Sequence, residues 1–149
     1  MIKVVDGNLL NAAESIIGHQ TNTKGVWGSG IAKVIKQKYP EAYPLYRLAC
    51  HEYSDKLLGL CWTTKVNEKR VVANLFGQTT YGRNKNIVHT DYDALRSALE
   101  SLKLRAKKFG HSVALPYNIG CGLANGDWKV VYGIIGEVFS DYEVTLNRL

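Results

Sequence analysis

The sequence predicts an α/β fold in which helices cover both faces of a central sheet. Short apolar segments alternate with longer amphipathic segments along the chain, a pattern typical of strands joined by crossover helices. The chain has 149 residues, 46% of them hydrophobic, which suffices for the core of one domain. We therefore predict a single domain over residues 1–149, with loops and helix starts meeting at the carboxyl ends of the strands.

The first half of the chain predicts two strands, two helices and then a hairpin. Pro40 ends the first helix, because proline cannot continue a helix at its interior. A polar turn at Asn67 and Glu68 separates two β-rich segments. The predicted strands span residues 2–5 and 15–19, the helices 29–38 and 41–53, and the β-rich segments 57–64 and 70–76.

The second half predicts two more helices that alternate with two more strands. Apolar residues recur at helical intervals between Asp91 and Lys107, so one side of this helix faces a core. A second apolar stripe runs from Val131 to Phe139 in a helix that begins near Asp127. The predicted strands are residues 112–115 and 142–146.

Composition argues against a membrane-embedded or disulfide-rich protein. No apolar run approaches the length of a membrane span, and the first residues lack the features of a signal peptide. Cys50, Cys61 and Cys121 have no paired spacing that would predict a disulfide framework or a zinc site. We expect a cytoplasmic monomer with reduced thiols, no cofactor and no catalytic metal, so that chelators should not inhibit it.

The formal net charge of +6 suits an anionic partner such as a nucleotide or a nucleic acid. Much of this charge lies between Lys103 and Lys108, late in one predicted helix, where basic residues also complement the helix dipole. Direct nucleic-acid binding, with aromatic rings as stacking platforms, is therefore one hypothesis. The aromatic residues argue against it, because most fall in strands, helix faces or glycine-rich loops and do not alternate with lysines.

A first glycine segment, residues 19–32, runs from a strand end through a glycine-rich loop into a helix. Glycines let the backbone approach a ligand closely, and free amides at a helix start can hold phosphate oxygens. The order of its glycines matches neither the dinucleotide fingerprint nor the P-loop. Phosphate contact and a purely structural turn both remain open for this segment alone.

A second glycine segment, residues 115–128, repeats the same plan of strand, clustered glycines and helix start. Two such segments at one end of a sheet would form facing walls able to wrap a diphosphate. Asp127 lies in the first turn of the following helix, where helix capping explains an acidic residue without any catalytic role.

A third stretch, from Asn74 to Arg83, follows a strand and would border the same cleft. Tyr81 could stack on a ribose or a base, and Arg83 could meet a phosphate. Ordinary loop packing is the alternative for both side chains.

With these segments in view, the sequence resembles the macrodomain family, in the branch that contains ADP-ribose 1''-phosphate phosphatases and a terminal ADP-ribose protein glycohydrolase. The resemblance covers nearly the whole chain in ordered blocks, including the helix of Tyr92. The other blocks are Asp6 to Leu10, His19 to Ala32, Lys38 to Ala42, Leu57 to Gly59, Asn74 to Gln78, and Gly120 to Leu123 with Trp128.

This resemblance implies a three-layer α/β/α macrodomain fold with a central mixed, mostly parallel sheet, and ADP-ribose across the carboxyl ends of its strands. Asn8, with Leu9 beside it, would contact adenine from a position that is more often Asp. Residues 28–31 and 120–123 would hold the diphosphate, while Asn22 and residues 24–27 would approach the distal ribose. The implied ligand-binding residues are Asn8, Leu9, Asn22, Lys24, Val26, Trp27, Gly28, Ser29, Gly30, Ile31, Gln78, Tyr81, Asn118, Ile119, Gly120, Cys121, Gly122 and Leu123.

The resemblance also bears on catalysis. The glycohydrolase pattern uses a lysine and an aspartate, whose matching positions here are Gln78 and Ala124, so a lysyl covalent mechanism is not expected. The phosphatase pattern has a histidine at the position of His19, and histidine exchanges protons near neutral pH. Asp127 is the candidate substitute acid or base.

Three functions follow as hypotheses. The first is metal-independent hydrolysis of ADP-ribose 1''-phosphate to ADP-ribose and phosphate, with His19 and Asp127 as catalytic residues. The second is a non-enzymatic reader that recognises free or attached ADP-ribose. The third is an ADP-ribosyl hydrolase acting on a modified protein or nucleic acid, which would make an ADP-ribosylated macromolecule the partner.

Overall fold

The protein was analysed as a computed structural model that describes residues 1–149. It contains six strands, four α-helices and two short 3-10 turns, at Leu9–Asn11 and Ser54–Leu57. The strands are β1 (Ile2–Asp6), β2 (Ile16–Asn22), β3 (Cys61–Asn67), β4 (Arg70–Gln78), β5 (Val113–Pro116) and β6 (Val144–Arg148). The helices are α1 (Gly30–Lys38), α2 (Ala42–Tyr53), α3 (Tyr92–Phe109) and α4 (Trp128–Val138).

All six strands belong to one sheet with the order β1-β6-β5-β2-β4-β3. Every pairing is parallel except the β3–β4 hairpin, which is antiparallel. The predicted mixed, mostly parallel sheet is therefore confirmed, and so is the predicted hairpin. Because β2 pairs with both β4 and β5 in parallel, the segments that follow these three strands leave the sheet at the same edge.

Helices cover both faces of the sheet, as the three-layer prediction required. Side chains alternate along a strand, so Ile16 joins the core beneath α3 and α4, whereas Ile17 joins the core beneath α1 and α2. The same alternation divides β4, where Leu75 faces the first of these cores and Phe76 the second. All four side chains are completely buried, which explains why the inner strands read as nearly continuous apolar runs.

The helix ends follow from local sequence. Asp91 precedes α3 and its Oδ1 accepts a hydrogen bond from the amide of Ala94 at 3.0 Å, while Gly110 ends the helix in the left-handed region at φ 67°. An acidic N-cap and a glycine C-cap are the residue types that satisfy the free backbone groups at helix ends. None of the four helices combines the length and apolar character needed to cross a membrane.

One predicted strand boundary was wrong. The sequence predicted a β-rich segment from Leu57, but β3 begins at Cys61. Leu57 is instead completely buried at the end of a 3-10 turn. Gly59 adopts φ 89° and donates its amide to the carbonyl of Phe76 at 2.8 Å, and this left-handed conformation interrupts an extended chain. The remaining elements lie within a few residues of their predicted bounds.

Two glycines give a matched test of this packing. Gly133 lies in α4 with open space where a methyl group would point, whereas a methyl group on Gly18 in β2 would lie 2.7 Å from Cδ2 of the buried Leu115. We expect Gly133→Ala to raise the free energy of unfolding by about 0.5–1 kcal/mol. Gly18→Ala should lower it by about 1–3 kcal/mol through overpacking. Urea denaturation of both variants measures the difference, and equal stabilities would contradict the packing described for β2.

Candidate functional site

A cleft of about 550 Å³ opens at the edge of the sheet where β2, β4 and β5 end. Its volume lies within the usual range for small-molecule sites. The first glycine segment forms one wall, the second forms the opposite wall, and the end of β4 with the residues after it closes one end. The lining residues are Gln20, Thr21, Asn22, Val26, Trp27, Gly28, Ser29, Gly30, Ile31, Ala32, Gln78, Tyr81, Gly82, Arg83, Pro116, Tyr117, Asn118, Ile119, Gly120, Gly122, Leu123 and Ala124.

The first wall presents backbone donors. The amides of residues 28–32 donate to no acceptor within the protein, and they include the first amides of α1. Ser29 occupies the N-cap position of α1, yet its side chain makes no capping hydrogen bond. Free amides at a helix start, together with the helix dipole, favour a bound anion. This wall therefore has the properties of a phosphate site.

Asn22 and Trp27 hold the first wall in shape. The Asn22 Oδ1 accepts from the amides of Lys24 and Val26 at 3.0 and 3.3 Å, and its Nδ2 donates to the Val26 carbonyl at 2.8 Å. The Trp27 ring stacks on Tyr46 with a centroid distance of 4.6 Å and is 2% exposed. Asn22 was predicted to approach a ribose; it lines the cleft, but most of its hydrogen-bonding capacity is used in shaping the loop.

The second wall also presents backbone donors. The amides of Gly120, Gly122, Leu123 and Ala124 have no acceptor within the protein. Asn118 and Gly120 lie in the left-handed region, at φ 68° and 75°. Residues that alternate between the right- and left-handed regions can direct successive amides to one side, which is the geometry of backbone nests that bind anions. The cleft thus lies between two rows of free amides.

Gln20 connects the second wall to the sheet. Its Nε2 donates to the Gln78 Oε1 at 2.8 Å and to the Thr90 hydroxyl at 2.9 Å. Thr90 in turn donates to the Gly120 carbonyl at 2.6 Å. The Gln20 amide occupies the space that side chains would need at two glycines, since a Cβ would lie 2.5 Å from its Oε1 at Gly77 and 2.9 Å at Gly120. Glycine at these positions therefore leaves room for the Gln20 amide and its hydrogen bonds beneath the second wall.

The charge around the cleft is unusual. No aspartate, glutamate, histidine or lysine lines it, and Arg83 is its only permanently charged side chain. Tyr81 and Tyr117 are the other titratable residues in the lining. An anion in this cleft would meet amide dipoles and one guanidinium, without repulsion from a carboxylate in the wall.

His19 does not reach the cleft surface. It is completely buried, its Nε2 donates to the Asn74 Oδ1 at 2.8 Å, and its ring packs edge-on against Trp27 with a centroid distance of 5.1 Å. Burial lowers the pKa of His19 to about 4, although the hydrogen bond to Asn74 opposes this shift. His19 is therefore a neutral, buried imidazole that packs against Trp27 of the first wall. This placement argues against its predicted role in proton transfer.

Asp127 also lies outside the lining of the cleft. It is exposed and caps α4, where its Oδ1 accepts from the Lys129 amide at 3.0 Å. The backbone of Asp127 is also held, because its amide donates to the Tyr92 hydroxyl oxygen at 2.9 Å. The helix-capping interpretation therefore accounts for Asp127 without a catalytic role.

Several predicted ligand-binding residues lie outside the cleft. Asn8 caps the 3-10 turn at Leu9–Asn11, and its Oδ1 accepts from the Leu10 amide at 3.0 Å, while Leu9 is 3% exposed in the core. Lys24 forms an ion pair with Asp55 at 3.2 Å. Cys121 is half-buried and does not line the cleft. Burial, and then the nearby Asp127 carboxylate, raise the pKa of its thiol to about 11. The other predicted ligand-binding residues all line the cleft.

Sequence reasoning also missed part of the lining. Gln20, Thr21, Tyr117 and Ala124 were not among the predicted ligand-binding residues, yet each contributes to the cleft surface. Gln20 and Thr21, followed by Asn22, form the polar carboxyl end of β2, which begins with two buried isoleucines. Polar residues at the carboxyl end of a buried parallel strand are a usable signal, because ligands of such sheets bind there.

The comparisons with known proteins agree with this geometry. The Macro domain family model matches residues 19–135, which include both glycine segments. The chain belongs to the macrodomain family. Among solved structures, this macrodomain is similar to a protein of unknown function from Bacteroides thetaiotaomicron, with 30% identity and a TM-score of 0.88 over 100% of this chain and 98% of that one.

Several fungal relatives carry the name ADP-ribose 1''-phosphate phosphatase, among them two that match over nearly the whole chain. The one from Saccharomyces cerevisiae is 32% identical over 99% of this macrodomain and 98% of its own length. The one from Debaryomyces hansenii is 29% identical over 92% and 93%. The predicted resemblance to this branch is thereby confirmed.

The buried His19 makes stability depend on pH. The unfolded chain binds a proton at this residue near pH 6.5, whereas the folded chain does so only near pH 4, so acid favours unfolding between these values. We expect a loss on the order of 3 kcal/mol of unfolding free energy as the pH falls from 6.5 to 4. His19→Asn should remove this part of the pH dependence, while His51→Gln, at an exposed position of α2, should retain it. Denaturant melts at several pH values measure the slopes; equal slopes for wild type and His19→Asn would contradict the assignment.

Proposed function

We propose that this macrodomain binds ADP-ribose with the diphosphate held between the two glycine segments. The observation that carries the proposal is the pair of facing rows of free amides, residues 28–32 and 120–124 apart from Cys121, across one cleft. A diphosphate bound between them would accept hydrogen bonds from both walls, and the α1 dipole would add to the attraction. The absence of carboxylates from the lining suits the two negative charges of the ligand.

The two ends of the cleft differ in a way that suggests the orientation of the ligand. At the β4 end, Gln78 has one side-chain N–H without a protein acceptor, which suits a hydroxyl of a ribose. At the β5 end, Pro116 and Tyr117 present an apolar surface, with the Tyr117 ring supported by Trp128 at a centroid distance of 4.8 Å. A flat adenine prefers such a surface. We therefore place adenosine toward β5 and the distal ribose toward β4.

We further propose that the bound derivative is hydrolysed at the distal ribose, giving ADP-ribose and inorganic phosphate from ADP-ribose 1''-phosphate and one water. The names of the two fungal relatives support this reaction. The lining supplies no carboxylate or imidazole to protonate a leaving group. Phosphate leaves as a stable anion, with a second pKa near 6, and so requires less protonation than a nucleobase nitrogen or an alcohol.

In this proposal the protein contributes positioning and charge stabilisation. The free amides of both glycine segments would offset the negative charge of the diphosphate and thereby hold the distal ribose in position for attack by water. Gln78 donates to the Thr80 carbonyl at 2.7 Å and accepts from Gln20, which leaves one N–H for a ribose hydroxyl or a water. His19 would act through the first wall, as a positioning residue.

Two alternatives are outcomes of the same experiments. Binding without phosphate release would favour a reader of free or attached ADP-ribose. Release of ADP-ribose from a modified protein or nucleic acid, without activity on the 1''-phosphate, would favour an ADP-ribosyl hydrolase.

We also propose a monomer in a reducing compartment such as the cytoplasm, which is compatible with three free thiols.

Calorimetric titration with ADP-ribose tests binding. Gly120→Ala would bring a methyl group within 2.9 Å of the Gln20 Oε1 at a residue with φ 75°, so the second wall must move. We expect an affinity loss of about tenfold or more, equivalent to about 1.4 kcal/mol. Gly133→Ala, remote from the cleft, is the matched control and should bind as the wild type does. Unchanged affinity in a folded Gly120→Ala protein would contradict the proposed diphosphate site.

Substitution of Asp127 separates capping from catalysis. Asparagine caps a helix about as well as aspartate but cannot exchange a proton. We expect Asp127→Asn to release phosphate from ADP-ribose 1''-phosphate at a rate within about twofold of wild type. Asp127→Ala should lower the free energy of unfolding by about 1 kcal/mol through loss of the cap. A fall of about a hundredfold in kcat for Asp127→Asn, with unchanged stability, would instead identify Asp127 as a general acid or base.

A further inference from the structure

Arg83 is the one cation in the wall of the cleft, and no proposed contact of ADP-ribose itself requires it. We propose that Arg83 is a specificity-determining residue that binds a phosphate attached at or beside C1'' of the distal ribose. The inference rests on the proposed ADP-ribose site and extends it, because it assigns a residue to the part of the ligand that distinguishes a phosphorylated derivative from ADP-ribose.

The backbone that carries Arg83 is firmly anchored. Arg83 lies in the β4–α3 loop, residues 79–91. The Nδ2 of Asn125 donates to the carbonyls of Asn84 and Ile87 at 3.0 and 2.7 Å, and the His89 amide donates to the Ala124 carbonyl at 2.8 Å. These bonds tie the loop to the second glycine segment. The Arg83 backbone therefore keeps a set position relative to the free amides of that segment.

The guanidinium of Arg83 is available for a ligand. It is exposed and forms no ion pair or hydrogen bond with another residue. Lys24, by contrast, is paired with Asp55 and does not line the cleft. Lys85 lies two residues beyond Arg83 on the same loop, is exposed, and also does not line the cleft. Among these cations, only Arg83 combines a free charge with a place in the wall.

The position of Arg83 fits the distal ribose better than the diphosphate. The Tyr81–Arg83 stretch follows β4, and Gln78 at the end of that strand marks the polar end of the cleft. The diphosphate has amides available from both glycine segments. A phosphate on C1'' would lie beyond Gln78 on the side of the β4–α3 loop, which contributes the Arg83 guanidinium to the wall.

The chemistry of the group supports a phosphate ligand. Guanidinium binds phosphate oxygens through two parallel charge-assisted hydrogen bonds. No carboxylate in the lining competes for Arg83 or repels an additional anion. The same chemistry would recognise a phosphate monoester on C1'' or a phosphodiester of a nucleic acid strand that carries ADP-ribose.

The test compares affinities for two ligands within each protein. The probes are ADP-ribose and an ADP-ribose 1''-phosphonate, in which a methylene replaces the bridging oxygen so that the phosphorus stays attached. We expect wild type to bind the phosphonate about tenfold more tightly, as expected for one exposed charge-assisted contact. Arg83→Gln should reduce this ratio to nearly one, Arg83→Lys should leave an intermediate ratio, and the matched control Lys85→Gln should keep it. The ratio is insensitive to a general change in cleft affinity.

A third probe distinguishes the source of the phosphate. It is a dye-labelled single-stranded oligonucleotide with ADP-ribose on an internal base, followed by fluorescence anisotropy while electrophoresis confirms that the ADP-ribose remains attached. An Arg83-dependent preference for the phosphonate assigns the site to a monoester. A preference confined to the oligonucleotide, compared with ADP-ribose and with the unmodified strand, assigns it to a phosphodiester.

The inference fails if wild type binds ADP-ribose but shows no preference for either phosphate-bearing probe, or if Arg83→Gln keeps the preference. These results would leave the proposed ADP-ribose site intact. Failure of wild type to bind ADP-ribose at all would overturn the proposed function itself, so the two failures are distinguishable.

Discussion

The parallel pairing of β2 with both β4 and β5 is the constraint on which the rest of the structure depends. Parallel neighbours end at the same edge of the sheet, so three segments distant in sequence leave it side by side. Two of these segments contain clustered glycines and unpaired amides, and the third carries Arg83. The cleft is therefore a product of sheet topology, and the local sequences determine which donors its walls present.

Polar groups beneath the cleft connect this topology to the geometry of the walls. The Gln20 amide donates to Gln78 at the end of β4 and to Thr90 just before α3. Thr90 in turn donates to the Gly120 carbonyl in the second glycine segment. On the opposite face of β2, His19 pairs with Asn74 directly across the sheet and supports Trp27. Buried hydrogen-bonded groups of this kind restrict the arrangement of neighbouring segments, because a displaced wall would leave polar atoms unpaired in the interior.

The sequence was sufficient for the fold class and for both walls of the cleft. Alternating apolar segments predicted the layers, and the clustered glycines at residues 28–30 and 120–122 predicted the two loops. It was insufficient for His19, because both faces of an inner strand are buried and the pattern cannot show whether a polar side chain points into a core or beyond the strand end. Gln20 was missed for a related reason: its partners Gln78 and Thr90 are distant in sequence.

The outer strand β1 pairs only with β6, which lies more than a hundred residues later in the chain. The Met1 ammonium also donates to the Tyr142 carbonyl at 2.8 Å. Contacts of such high sequence separation carry a larger loop-closure entropy than contacts between neighbouring elements, and they slow folding. During synthesis on the ribosome, β1 is the first strand of this domain to be made and cannot pair until β6, the last, has emerged, so this edge of the sheet closes only after the rest of the domain.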